Sequence, residues 1–289
     1  MIFKKLARLR QFLVSFALVA ALGISCAFAS TFTPEQTVSG WVSALKRNDV
    51  KAAMLLGTTP EEYLDLRKEL AGAWVDTPES NQRFTSDFAD LLAPDASDRL
   101  FAQIQPHLLQ VPMYSGMFAS MADSLLAELG TDDANESLSS EQVASATEVL
   151  NALKSWAART DFSDEKRAKT AINTLVSAFR AANVRSASDW ARLSDDVRVG
   201  KLDFALQALK GITKAYDLNI DNLLSSTSVS AGKALDQSEV RIGYKVFEAR
   251  GSSMIKMFLR DGEWFFWDRT AAVKVQEADP AKAEVVKEK

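Results

Sequence analysis

The spacing of apolar residues along this chain changes near residue 225, from a helical period of about 3.6 residues to a strand period of two. Upstream, apolar residues recur three and four positions apart; the first such stripe is Val38, Trp41, Val42 and Leu45. Downstream, apolar and polar residues alternate from Val240 onward. The pattern predicts an α+β fold, mostly helical, in which a C-terminal antiparallel meander of at least three strands packs on helices.

Three Thr-Pro-Glu tripeptides, beginning at Thr33, Thr59 and Thr77, mark predicted helix starts. Threonine caps free amides, proline suits the first helical position and glutamate favours the positive end of the helix dipole. Further apolar stripes predict helices over residues 50–56, 60–73, 78–92, 95–105, 113–129, 164–182 and 202–216, and one that begins after Ser139.

Two further expectations concern how these helices end and pair. Pro106 should kink or end the helix over residues 95–105, because proline removes a backbone hydrogen bond. The helix after Ser139 and the helix over 164–182 follow each other closely, which predicts a helical hairpin.

Glycine-containing turns set the register of the predicted strands. A turn at Arg250-Gly251 places Tyr244 opposite Met257, and a turn at Asp261-Gly262 places Met257 opposite Phe266. Both registers agree on one uncharged face of the sheet, which comprises Ile242, Tyr244, Val246, Ile255, Met257, Leu259, Trp264 and Phe266.

The opposite face of the sheet is mixed and forms a candidate partner surface of Lys245, Lys256, Phe258, Phe265 and Trp267. The register places Lys256 across from Trp267, within reach of a cation–π contact, and Phe258 across from Phe265. An aromatic second face indicates a covered surface. Coverage by helices of this chain, by a partner or second copy, and by a ligand are all open explanations.

The first 29 residues have the organisation of a secretory signal peptide. A basic start precedes an uncharged apolar run over residues 12–28, which is too short for a stable membrane span. Ala27-Phe28-Ala29 provides the small residues that signal peptidase requires, so cleavage is predicted between Ala29 and Ser30. Periplasmic localisation follows. Lipidation at Cys26 is the alternative, although Leu22 lies one position too early for that signal.

Cleavage changes the composition in ways that exclude several functions. Removing 29 of the 289 residues takes away four positive charges, which moves the net charge from −4 to −8, and it removes the only cysteine, Cys26. The mature chain therefore has no disulfide and no thiolate nucleophile. An acidic chain without a basic cluster is also a poor ligand for nucleic acid, whose affinity depends on phosphate neutralisation.

Few residues offer catalytic chemistry. His107 is the only histidine, so a metal site built from several histidines or cysteines is excluded, and a Ser-His-Asp triad would have to use His107. The pairs Asp132-Asp133 and Asp195-Asp196 are neighbours in predicted polar loops. We interpret them as solvated charge or helix caps. No phosphate-binding or dinucleotide-binding glycine motif is present. We expect no metal, no cofactor and no enzymatic activity.

The two ends of the mature chain carry a family pattern. Two stretches of the mature chain resemble nuclear transport factor two-like proteins. The opening stretch comprises residues 33–36, Trp41 and residues 45–53, and the closing stretch comprises Val246 and residues 258–264. The resemblance implies a curved sheet wrapped round N-terminal helices, forming a cone with a cavity. Residues from about 60 to 216 depart from the family and are expected to be a helical insertion. No catalytic residue of the family's enzymes has a counterpart here.

These observations predict a signal peptide over residues 1–29, a helix-rich body with the sheet over 30–275, and a disordered tail over 276–289. The favoured function is a non-catalytic periplasmic protein that binds another envelope protein or itself, as an accessory or an inhibitor. One alternative is a carrier of an apolar small molecule or lipid in a cavity lined by Tyr244, Met257, Trp264 and Phe266. A second alternative is a carboxylate-based hydrolase.

Overall fold

The computed structural model describes residues 32–108, 110–130, 139–231 and 238–266. The predictions for Cys26, the Ala29-Ser30 cleavage site, the Asp132-Asp133 pair, Trp267 and the tail over 276–289 lie outside these residues. The described chain is mostly helical and ends in a four-stranded antiparallel sheet that packs against helices. This architecture confirms the predicted α+β class.

Within the described ranges eleven helices precede the sheet. They are α1 (Pro34–Lys46), α2 (Val50–Leu55), α3 (Pro60–Ala73), α4 (Pro78–Leu92), α5 (Ala96–Leu108), α6 (Val111–Leu129), α7 (Ser140–Arg159), α8 (Glu165–Ala182), α9 (Ala187–Arg192), α10 (Asp195–Ala215) and α11 (Ile220–Ser225). The hydroxyls of Thr33, Thr59 and Thr77 each accept a hydrogen bond from a backbone amide in the first turn of the helix that follows, so the predicted helix starts are confirmed.

The sequence predicts that Pro106 kinks or ends α5, and the helix does not end there. It continues to Leu108, with the proline inside its last turn. Leu108 is buried in one apolar cluster with Phe101 and Ile172 of α8, and this packing holds the last turn in place beyond the proline.

The predicted hairpin of α7 and α8 is also wrong. The helix α8 packs against α10 and α5, whereas α7 packs against α6 and strand β3 (Ala249–Arg260). At the α8–α10 contact, a Cβ placed on Gly211 would lie 2.4 Å from the Thr174 methyl carbon. The two backbones therefore approach closely because this position carries no side chain, and α8 turns to α10 instead of α7.

Four strands form the sheet in the order β1 (Ser228–Ala231), β2 (Ser238–Val246), β3 and β4 (Glu263–Phe265). The turn at Asp261-Gly262 is confirmed, and it pairs Leu259 with Trp264 and Phe258 with Phe265. The strand β1 adds a fourth member beside β2.

The register of β2 and β3 differs from the prediction. The turn lies at Phe247-Glu248, so Tyr244 faces Gly251 instead of Met257, a shift of six residues. Phe247 adopts a φ of 56°, a left-handed conformation that aromatic residues rarely take, so no sequence signal marks this turn. Gly251 sits beneath the Tyr244 ring, where a Cβ would lie 2.2 Å from a ring carbon.

An even shift preserves the faces of a strand, so the apolar face is as predicted. Val38 of α1 is fully buried against Val240 and Met257 on that face. Trp41 of α1 meets the Phe266 ring edge-on, with 5.4 Å between the ring centroids. The first described helix thus covers one face of the last described strands.

Candidate functional site

The second face of the sheet meets the helix α7 at its hairpin end. The amide of Ser252 donates to Ser145 Oγ at 2.5 Å, and that hydroxyl donates to the Ser252 carbonyl at 3.3 Å. Glu148 accepts from the Arg250 amide at 3.2 Å. Side chains of α7 therefore satisfy backbone groups along the outer edge of β3, in place of another strand.

Two further contacts extend α7 along the sheet. Glu141 forms an ion pair with Arg241 of β2, and Trp156 stacks on Phe247 at the hairpin turn. A groove of about 430 Å³ lies between α7 and β3, with Glu141, Glu148 and Arg250 among its lining residues. Of the three explanations for the second face, coverage by a helix of this chain is what the structure shows at the hairpin end.

The residues of the candidate partner surface differ in their exposure. Lys245 and Lys256 are exposed, and Phe258 is half-buried. Phe265 is buried with 4% of its surface exposed. The structure pairs Phe258 with Phe265 but leaves the two lysines on separate stretches of the sheet, with Lys245 opposite Arg250 and Lys256 opposite Glu239.

The candidate cavity residues Tyr244, Met257, Trp264 and Phe266 belong to the apolar cluster between the sheet and α1. Met257 is fully buried there beside Val38. The other three residues are partly buried and pack against the same cluster. In this arrangement they act as core residues that join α1 to the sheet.

The carboxylates Asp195 and Asp196 occupy the first turn of α10, where they bind cations from other elements. Asp195 accepts from Arg67 at 3.0 Å and from Arg198 at 2.7 Å, and Asp196 forms an ion pair with Lys51 at 3.0 Å. The hydrogen bond from Lys51 lowers the pKa of Asp196. These acids connect α2 and α3 to α10 and are therefore structural groups.

Sequence reasoning missed the carboxyl of Asp203, which lies in the interior of α10. It accepts from the Val50 amide at 2.7 Å, at the first turn of α2. Burial raises the pKa of Asp203, and the negative charge of Asp49 acts in the same direction. No local pattern signals this role, because the amide that Asp203 binds is 153 positions away in the chain.

A second missed group is Ser188, whose hydroxyl donates to the Asp76 carboxylate. Asn81 donates to Ser188 Oγ at 2.9 Å and accepts from the Ser188 amide at 3.0 Å. The hydrogen bond from Ser188 lowers the pKa of Asp76, which makes this carboxylate a weak base for activating a serine. The cluster fastens α9 to the start of α4. His107, in the last turn of α5, belongs to a different part of the fold.

The described side chains of the helix α6 are mostly exposed. Its extensive packing is with α7, and Asp123 of α6 forms an ion pair with Lys154 of α7. Ala122 is buried, whereas Met121 and Leu125 have 55% and 41% of their surfaces exposed. Sequence reasoning placed this helix but gave its apolar residues no surface role.

Among the described residues, no group of three or more histidine, cysteine or acidic side chains is arranged to hold a metal ion. None of the helices in the described ranges combines the length and the apolar composition needed to cross a membrane.

Comparisons of the chain with protein-family models, with curated proteins and with solved structures found no match.

Proposed function

We propose that this protein is a non-catalytic binding protein of the bacterial periplasm, which acts by contacting another envelope protein as an accessory or an inhibitor. The observation that carries the proposal is the helix α6, which presents Met121 and Leu125 to solvent while packing on α7. Adjacent exposed apolar side chains on a folded protein are characteristic of interaction sites.

The polar groups support the same assignment. Asp195, Asp196, Asp203 and Asp76 each bind a cation, a backbone amide or a hydroxyl that joins two elements of the fold. A carboxylate catalyst needs a paired acid and base beside a substrate cleft. Structural partners at these carboxylates favour binding over hydrolysis.

The apolar carrier receives less support from the geometry. Met257 is fully buried and Phe266 packs on Trp41, so the side chains proposed for the cavity contact each other and α1. A relationship to nuclear transport factor two-like proteins remains part of the proposal. Its support is the packing of α1 across one face of the sheet through Val38.

Native mass spectrometry of the protein purified from a periplasmic extract of the bacterium that encodes it tests this function. We expect a mature chain that begins at Ser30 and a stoichiometric second protein. A chain that carries a lipid would support the carrier instead, and a chain recovered alone would contradict the binding function.

The matched control for localisation is Ala29→Arg, which removes the small residue before the predicted cleavage site. We expect this variant to retain its first 29 residues and to remain with the membrane fraction. Recovery of the unsubstituted chain from the cytoplasm, with those residues intact, would contradict the periplasmic assignment.

A further inference from the structure

The exposed apolar residues of α6 form a single patch. Met121 and Leu125 are separated by four positions, so they are neighbours on one side of the helix. Other large apolar side chains with exposed surfaces in the described chain, such as Leu64 of α3 and Val197 of α10, have no such neighbour on the same helix. This patch is therefore distinct from the scattered apolar residues that ordinary surfaces carry.

The sequence of α6 before Asp123 suits an apolar contact, because residues 111–122 carry no charge. Methionine side chains are flexible and polarisable, and they are frequent on surfaces that accept partner helices.

The helix that carries the patch is held in place by its contacts with α7. The ion pair between Asp123 and Lys154 ties α6 to α7, and α7 is itself bound to β3 through Ser145 and Glu148. A partner that contacts Met121 therefore meets a helix whose neighbour is anchored to the sheet. Little ordering of α7 is required when the partner binds, which favours affinity.

Charge identifies the chemistry of the partner. Residues 111–159 contain seven acidic and two basic residues, a net charge of −5, whereas the whole mature chain has a net charge of −8. The other 211 residues of the mature chain therefore carry only −3, so negative charge is concentrated in this segment. A basic partner is attracted to this segment, whereas a second copy would bring acidic residues against acidic residues. Anionic lipid surfaces are repelled for the same reason.

We propose that α6 and α7 dock an amphipathic helix with a basic polar flank, whose apolar face contacts Met121 and Leu125. This inference rests on the proposed binding function and specifies the partner that the function requires. An amphipathic helix lying on an apolar helical surface, with complementary charges at the rim, is a recurring mode of peptide recognition.

The test measures the binding of labelled peptides to the purified mature chain by fluorescence anisotropy. The first peptide is an amphipathic leucine–lysine helix about as long as α6. The second replaces every lysine by glutamate, and the third scrambles the first so that its apolar face is lost. We expect binding of the first peptide alone, in a one-to-one complex that weakens as salt is added.

A double variant, Met121→Ser with Leu125→Ser, is expected to weaken the binding of the first peptide by about tenfold or more. The matched control is Leu64→Ser, which removes an apolar side chain of 49% exposure from α3 and should leave the affinity unchanged. Circular dichroism establishes that both variants keep their helical content.

Several results would overturn the proposal. They are equal binding of the glutamate or scrambled peptide, unchanged affinity of the double variant, dimerisation of the chain through Met121 and Leu125, and binding of the patch to phosphatidylglycerol vesicles. If the double variant still recovers the envelope partner, this docking site is wrong and the binding function stands. If the peptides behave as expected and no envelope partner exists, the proposed function fails and the docking chemistry stands.

Discussion

At Gly251 the absence of a side chain is a packing requirement. The ring of Tyr244, directly across the β2–β3 ladder, fills the space where a Cβ would lie. In the sequence, Arg250 and Gly251 look like the two central residues of a tight turn. The actual turn uses Phe247, whose aromatic ring stacks on Trp156.

Replacing this glycine tests the packing. Gly251→Ala should lower the free energy of unfolding by about 1–3 kcal/mol, because the new methyl group displaces the Tyr244 ring. The control is Gly200→Ala inside α10, where no atom lies within 4 Å of the added Cβ. That change should raise stability by about 0.5–1 kcal/mol. Urea denaturation measures both, and effects of equal sign would contradict the packing account.

A pH-dependent prediction concerns Asp203, whose pKa burial raises above that of the unfolded chain. Ionisation of such a group lowers stability as pH rises through the folded pKa. Asp203→Asn keeps an oxygen for the Val50 amide and removes the charge, so the variant should unfold at a higher temperature at pH 7.

The advantage of Asp203→Asn should disappear at acid pH, where Asp203 is protonated in both the folded and the unfolded chain. Glu69→Gln, which removes one exposed carboxylate from α3, is the control and should show no comparable trend. An Asp203→Asn gain that grows as pH falls would refute the assigned direction. Thermal unfolding curves recorded across the pH range provide the measurement.

Among the elements, α7 contacts both the sheet and another helix: the edge of β3, Arg241 of β2, the hairpin turn and α6. A helix that supplies hydroxyl and carboxylate acceptors to a strand edge removes the hazard that open edges present for aggregation. Ser145 and Glu148 lie three positions apart, so both acceptors face the same strand.

Ser145→Ala should lower the free energy of unfolding by about 1 kcal/mol, because the partly buried amide of Ser252 then loses its acceptor. The same change at the exposed Ser155 of α7 should be nearly neutral. Hydrogen exchange at Ser252 should accelerate in the first variant and not in the second. Unchanged protection of that amide would show that Ser145 does not cap the edge.

The elements also show which features of this fold a sequence reveals. Thr33, Thr59 and Thr77 were sufficient to locate three helix starts, because caps act over a few residues. The β2–β3 register depended on the packing of Tyr244 over Gly251 and on the left-handed backbone of Phe247, which no residue pattern marks. The predicted apolar face was nevertheless correct, because shifting the register by an even number of residues leaves each side chain on the same face of its strand.

The candidate site likewise has features that the sequence reveals and features that only the fold reveals. Composition excluded metal sites built from several histidines or cysteines without any structure, because the chain has one residue of each type. The exposure of Met121 and the tie between Asp203 and Val50 required the fold, because each depends on which distant elements pack together. Apolar spacing alone identifies a helix face but does not say whether another element covers it.

Across the described part of the molecule, ion pairs join several of the helices in addition to separate apolar clusters. Arg198 is buried and binds Asp195, and it also donates to the carbonyls of Trp190 and Ala191. Asp195 in turn receives Arg67 from α3. The arrangement fixes α3, α9 and α10 around one carboxylate.

Asp195→Ala should therefore lower the free energy of unfolding by about 2 kcal/mol. The value lies below that of a fully buried pair because the Asp195 side chain is 36% exposed. Asp65→Ala, which breaks the exposed pair with Lys68, should change stability by less than about 0.5 kcal/mol. Chemical denaturation compares the two, and equal effects would show that the Asp195 contacts contribute no more than surface pairs.

The pairing of Val38 with Val240 and Met257 has a consequence for biogenesis. Val240 and Met257 are synthesised about 200 residues after Val38, so the Val38 side chain stays exposed to solvent until nearly all of the polypeptide has been synthesised. A chain that threads through a narrow translocation channel must remain extended on the way. For the proposed export, the distance between Val38 and its partners supplies that delay, because the core cannot close before both halves have passed the channel.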